Sequence, residues 1–285
     1  VLGHGGIVPE LIPGIAGMGP ARNGGACEEA IAVVGGVYSN HAALRAALTD
    51  ARGRGAARLF CLGDLGGFGP NPGRVYPVLE EFGVETIAGN YDRSLADRLA
   101  DCGCGYTHPA DNEFARRSYD YTNRCTTDPE RAWLAALPGA LRFTRGGRRW
   151  LLCHGSPRRI NEFLWESSTS DAFLARLLRE SEADQVLCTH TGIHWQRALP
   201  EGGRVVNVGA VGRPANDGRP EVWYAFFDAG ASEAEFVPVR YDHESLALEM
   251  ESEALPPEFV ETIRTGWWTT CLEILPAKER ARGRF

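Results

Sequence analysis

Four short apolar runs in this chain each end in a small polar motif, and this recurrence limits the fold more than any other feature. Arg58-Leu59-Phe60-Cys61-Leu62 leads into Gly63-Asp64, and Val84-Glu85-Thr86-Ile87-Ala88 leads into Gly89-Asn90-Tyr91-Asp92. Trp150-Leu151-Leu152-Cys153 leads into His154-Gly155, and Gln185-Val186-Leu187-Cys188 leads into Thr189-His190-Thr191. Each run has the length and composition of a buried strand. One Asp, one Asn and two His therefore stand at the ends of four strands, where a sheet can bring them together. These are ligand types for a borderline-hard divalent cation. Taken singly each has a plainer reading: Asp64 as a turn cap, Asn90 as a turn residue, His154 and His190 as satisfied core histidines.

Between these runs the chain alternates strand and helix. A strand is expected over 31–37, with Asn40 as N-cap of a helix over 41–52. Further helices are expected over 74–82, 111–124, 128–137 and 171–181, the second and third opened by acidic residues. After His190 the pattern changes to short strands over 204–208, 222–227 and 235–240. Helices alternating with strands early, and strands dominating late, fit two packed sheets flanked by helices.

The order of the motifs resembles the calcineurin-like metallophosphoesterases, whose pattern is D-x-H, G-D-x-x, G-N-H-D, a strand ending in His, and G-H-x-H. Gly63-Asp64-Leu65-Gly66-Gly67-Phe68-Gly69-Pro70-Asn71-Pro72 looks like the family's loop after its second strand. Asn207-Val208-Gly209-Ala210-Val211-Gly212-Arg213-Pro214 looks like its late Gly-rich turn. The resemblance runs from about Ala32 to Asp228. It implies a four-layer αββα sandwich of two mixed β-sheets and a hydrolase acting on phosphoester bonds. The family usually holds two adjacent cations, about 3.5–4 Å apart, that grip the attacking hydroxide and the phosphoryl oxygens.

Three departures fall on one of those two sites. Gly36 stands at the first-motif Asp position, Tyr38 at its His position, and Gly192 at the second His position of the last motif. The other site keeps Asp64, Asn90, His154 and His190, so the resemblance implies one site retained and one removed. The metal would be Mn, Fe, Zn or Ni. Tyr38 is expected to fill the emptied site with its hydroxyl, since a phenol with a pKa near 10 is a costly ligand. Tyr91 stands where the common motif has a His that contacts the phosphate or leaving group, and is assigned the same contact. In His154-Gly155-Ser156-Pro157-Arg158-Arg159, an Arg just after a candidate ligand can clamp a phosphate, and Arg158 is the choice.

The leading expectation is a metal-dependent phosphoesterase hydrolysing a phosphate mono- or diester, its activity weakened or altered by the single metal. The alternatives are a catalytically impaired protein that binds a phosphorylated ligand in a regulatory role, and a non-hydrolytic single-metal enzyme. The expected partner is a small phosphorylated substrate. A net charge of −7 argues against a nucleic-acid backbone as partner. No apolar run is long enough to span a bilayer, and no basic n-region with an apolar h-region opens the chain.

Eight Cys in 285 residues do not suggest a disulfide scaffold, and several lie in expected core strands. Reduced thiols and a cytoplasmic location follow. Cys61, Cys153 and Cys188 precede candidate ligands but alternate with them along strands, so they are read as core residues. Cys102-Gly103-Cys104 is read as a loop motif. His194, four residues after His190, is placed in a loop, exposed or beside the site. Residues 1–29 are read as a Gly/Pro-rich N-terminal arm, 30–242 as the metallophosphoesterase-like domain, and 243–285 as a helical extension broken at Pro256-Pro257. The arm is expected to lie on the domain or on a second subunit, which leaves a homo-oligomer open. Trp267-Trp268 is expected to be an apolar docking surface.

Overall fold

The computed structural model describes residues 29–283. The N-terminal arm, apart from Glu29, lies outside the described residues. Among the described residues, ten strands form two five-stranded sheets. The first contains β1 (Ile31–Val34), β2 (Arg58–Cys61), β3 (Glu85–Thr86), β9 (Val222–Phe227) and β10 (Glu235–Val239), in the order β10-β9-β1-β2-β3. The second contains β4 (Ala140–Arg145), β5 (Arg148–Cys153), β6 (Gln185–Cys188), β7 (His194–Ala198) and β8 (Arg204–Val208), in the order β4-β5-β6-β8-β7. β1, β2 and β3 are parallel, as are β5, β6 and β8, while β9, β10, β4 and β7 each pair antiparallel with a neighbour. Both sheets are therefore mixed.

The alternation of side chains along the strands builds the layers. Ile31, Val33, Phe60 and Leu62 meet Trp150, Leu152, Leu187 and Val206 in a core between the sheets. The residues between them turn outward. Ala32, Val34, Leu59 and Cys61 pack under α1 (His41–Gly53) and α2 (Val75–Phe82). Leu151, Cys153, Val186 and Cys188 pack under α6 (Asp171–Glu180). The result is a helix–sheet–sheet–helix sandwich. It also places Cys61, Cys153 and Cys188 in the helix-facing cores, as alternation requires.

Several expected boundaries shift for local reasons. Asn40 caps α1 by accepting from Ala43 N at 3.0 Å. The first strand stops at Val34, because Val37 N and Tyr38 N leave the sheet to donate to Asp64 O at 2.8 and 3.0 Å. β4 and β7 had no expectation; both are outer strands with half-exposed faces, which blurs the period-two signal. The loop expected around His194 is thus corrected to a strand that His194 opens.

α3 (Asn90–Ala96), α4 (Pro109–Cys125) and α5 (Asp128–Ala136) follow β3. The chain ends in α7 (His243–Ser252), α8 (Pro257–Thr265) and α9 (Ala277–Ala281), with the break at Pro256-Pro257. α7 and α8 share a small core with Tyr121 of α4. No helix among the described residues is long and apolar enough to cross a membrane.

Candidate metal centre

The loops after β2 and β3 of one sheet, and after β5 and β6 of the other, converge at the same end of the sandwich. Asp64, His154 and His190 each offer a ligand atom there, and these atoms all lie within 4.8 Å of one another. His154 Nε2 is 3.1 Å from Asp64 Oδ2 and 3.2 Å from His190 Nδ1. His154 Nδ1 faces Leu62 O at 2.6 Å. That carbonyl can only accept, so it fixes the proton on Nδ1 and aims Nε2 at the cluster.

Asn90 opens α3, one residue before Tyr91. Its Nδ2 donates to Cys102 O at 2.9 Å, and its Oδ1 is buried without a partner. The adjacent Tyr91 N donates to Asp64 Oδ1 at 3.1 Å. An unpaired buried acceptor is costly in a finished core, and Asn90 Oδ1 is one, on the residue before Tyr91, whose N–H binds Asp64. The set fits a divalent cation on donor chemistry and on that orphaned oxygen.

The local backbone is held under strain to reach this arrangement. Asp64 has φ 55° and His190 φ 72°, left-handed conformations that non-glycine residues adopt at a cost. Gly89 is needed for a different reason. A Cβ there would meet Asp64 Oδ1 at 2.1 Å and His154 Cε1 at 2.8 Å. Only a residue without a side chain lets the two loops close on each other.

Asp92, which closes the Gly89-Asn90-Tyr91-Asp92 motif, has a role that its sequence position alone does not reveal. Its fully buried carboxylate accepts from Gly89 N at 2.8 Å, Asp64 N at 2.7 Å and Leu65 N at 2.9 Å. It ties the loops after β2 and β3 together. Its position at N3 of α3 was the available signal, since an acid there normally caps its own helix.

Charge is apportioned by burial and proximity. Burial raises the Asp64 pKa, but the imidazoles of His154 and His190 and the N–H of Tyr91 outweigh it, so the carboxyl is held below its ordinary value. Burial lowers that of His154, but Asp64 outweighs it and the net shift is upward. Burial, then His154, pushes His190 down to about 3, so its ring is neutral. Burial, then Asp64, raises Asp92 to about 6. The shifts of Asp64 and His154 thus favour the charged form of each, beside the neutral imidazole of His190.

The three altered positions form one connected feature. A Cβ at Gly36 would meet Tyr38 Cζ at 2.5 Å and its hydroxyl oxygen at 2.7 Å. A Cβ at Gly192 would meet the Trp268 ring at 3.0 Å. Tyr38 and Trp268 thus occupy the directions in which side chains at Gly36 and Gly192 would project. Burial raises the Tyr38 pKa far above its usual value, so it is a neutral phenol.

Other expectations fare differently. Tyr91 is buried beside the cluster and shares a small cavity with Asp64 and His190. Its hydroxyl is held by Ser118 Oγ at 3.2 Å and Thr122 Oγ1 at 3.3 Å. Arg158 pairs with Glu162 at 3.6 Å and lies over Phe173, outside the walls of the cavities beside the cluster. His194 is half-buried and packs between Trp223 and Phe236, each 4.6 Å away, and not beside the cluster.

Cys102 and Cys104 are bonded to each other. This corrects the reading of that stretch as a plain loop and of its thiols as reduced. Their Cα atoms lie 5.3 Å apart, within disulfide reach. Cys61, Cys125, Cys153, Cys188 and Cys271 are free. Trp268 is docked in the core, stacked with Arg213 at 3.8 Å.

The chain is similar to known proteins over most of its length. It is 25% identical over 252 residues to an uncharacterized protein of Methanocaldococcus jannaschii, covering 83% of this chain and 98% of that one. Its fold resembles that of a metallophosphoesterase from Sphaerobacter thermophilus, with TM-score 0.66, 26% identity, and coverage of 84% and 99% of the two chains. It also resembles a hypothetical protein from Pyrococcus horikoshii, with TM-score 0.71, 22% identity and the same coverage. Residues 30–231 match the calcineurin-like phosphoesterase superfamily domain, and the chain belongs to that superfamily.

Proposed function

We propose that the protein is a metal-dependent phosphoesterase that hydrolyses a phosphate mono- or diester with one divalent cation, held by Asp64, Asn90, His154 and His190. The observation that supports this most is the convergence of Asp64, His154 and His190 within 4.8 Å, with Asn90 Oδ1 left unpaired. When bound, the cation would supply Lewis acidity to the ester and to its attacking water.

The chain's own groups supply the rest. Asp92 holds the Asp64 backbone by its carboxylate, and Leu62 O orients the His154 ring. Tyr91, protonated and braced by Ser118 and Thr122, walls the cavity on the helical side and is the proposed contact to the substrate oxygen or leaving group. Burial of Asp64, His154 and His190 keeps bulk water from competing with these contacts.

The test is hydrolysis of mono- and diester substrates by protein loaded in turn with Mn, Fe, Zn and Ni. Turnover lost in Asp64→Asn and His154→Ala supports the reading; no turnover above background with any metal contradicts it.

A second reading is favoured by the filling of the altered positions by Tyr38 and Trp268. It makes the chain a binding protein that takes a phosphorylated ligand without cleaving it. Ligand binding with no product after prolonged incubation would select this reading over the first.

A further inference from the structure

Arg213 is buried, 6% exposed, on the turn after β8. Its guanidinium lies 3.8 Å from the Trp268 ring centroid and 5.0 Å from that of Phe68. Its one hydrogen bond among the described residues runs from Nη2 to Thr270 O at 2.9 Å, and no carboxylate pairs with it there. A buried cation without a counter-charge is costly. The ring faces of Trp268 and Phe68 offset part of that cost by cation–π attraction.

Its position accounts for the charge. Trp268, which stacks on Arg213, is the ring that a Cβ at Gly192 would strike. Tyr38, which covers Gly36, is pushed up by burial and Asp64, and the charge of Arg213 opposes them. Arg213 therefore adjoins both side chains that fill the altered positions. A small cavity, ≈ 20 Å³, is bordered by Arg213, Tyr38, Gly192 and His190. That is room for about one water molecule.

We propose that Arg213 replaces the second cation of the site as the anion-binding charge: its guanidinium holds a phosphoryl oxygen of the substrate beside the Asp64–His154–His190 cluster. The fork of a guanidinium matches two phosphoryl oxygens, which a point charge does not. This inference rests on the single-cation reading above. It also gives Tyr38 and Trp268 a task, since they hold the guanidinium in place.

The test titrates inorganic phosphate by calorimetry into the full chain, with and without Mn²⁺, after metal content has been counted. Arg213→Met keeps the apolar stem between the rings and removes the charge. It is expected to leave metal content as in the wild type and to weaken phosphate about 10- to 100-fold. Arg213→Lys is expected to bind about tenfold more weakly than the wild type, because charge without the fork recovers part of the contact. A folded Arg213→Met with unchanged metal and unchanged phosphate affinity overturns the proposal. Should that variant fail to fold, an unchanged phosphate affinity in Arg213→Lys overturns it. A wild-type chain that takes up no Mn²⁺ contradicts the single-cation reading, while the dependence of metal-free phosphate binding on Arg213 still decides this one.

Discussion

The ring of Tyr38 lies over the Cα of Gly36, so that a side chain begun at Gly36 would meet Tyr38 Cζ at 2.5 Å. The two altered positions are therefore coupled, and neither reverts alone. Gly36→Asp is expected to destabilise the fold by about 1–3 kcal/mol through overpacking, without raising metal content. Adding Tyr38→His should recover part of that loss. Thermal melts of the single and double variants check this; a single variant as stable as the wild type would contradict the coupling.

Asp92 supplies the acceptor for three backbone N–H groups of two loops. Asp92→Ala leaves them buried and unpaired, at about 1–3 kcal/mol each, so a loss of several kcal/mol in urea unfolding is expected. Asp92→Asn keeps one acceptor oxygen and should lose less. Equal losses in the two variants would mean that the carboxylate does not act as an acceptor clamp.

Trp268 closes the space over Gly192 and stacks on Arg213. Trp268→Ala is expected to cost about 3–5 kcal/mol, as for other buried aromatic truncations. Hydrogen exchange should quicken first around Thr270, whose carbonyl accepts from Arg213. Unchanged exchange there would contradict the docked role of the ring.

The four strand-end residues were legible because each follows a strong local apolar run, and the period of the strands set the two sheets. What was not legible depends on contacts between distant parts of the chain. Asp92 reads as a cap of α3 until Asp64 N and Leu65 N are seen to donate to it. Trp268 and Arg213 carry no local mark of a partnership with Gly192 or Tyr38. β4 and β7 are outer strands whose half-exposed faces dilute their pattern. Arg158 follows His154 closely, but its turn sends it to Glu162 and Phe173.

His194 offers a pH test remote from the candidate ligands. Burial, against a smaller opposing pull from Asp217, lowers its pKa to about 4, while an unfolded His titrates near 6.5. Between these values the unfolded chain takes up a proton that the folded chain refuses. Stability is therefore full above about pH 6.5 and falls as pH drops toward 4. His194→Gln should flatten the fall in melting temperature across that window; an unchanged slope would show that other groups cause it.

Cation content, measured by elemental analysis of protein purified without chelator or metal-binding tag and then loaded with Mn²⁺, decides whether Asp64, Asn90, His154 and His190 form a metal site. A single divalent cation per chain is expected in the wild type. His154→Ala, in a chain that remains folded, should lose it. Two cations per chain, or one that persists in His154→Ala, would contradict the assignment of these ligands, as would no cation at all after loading.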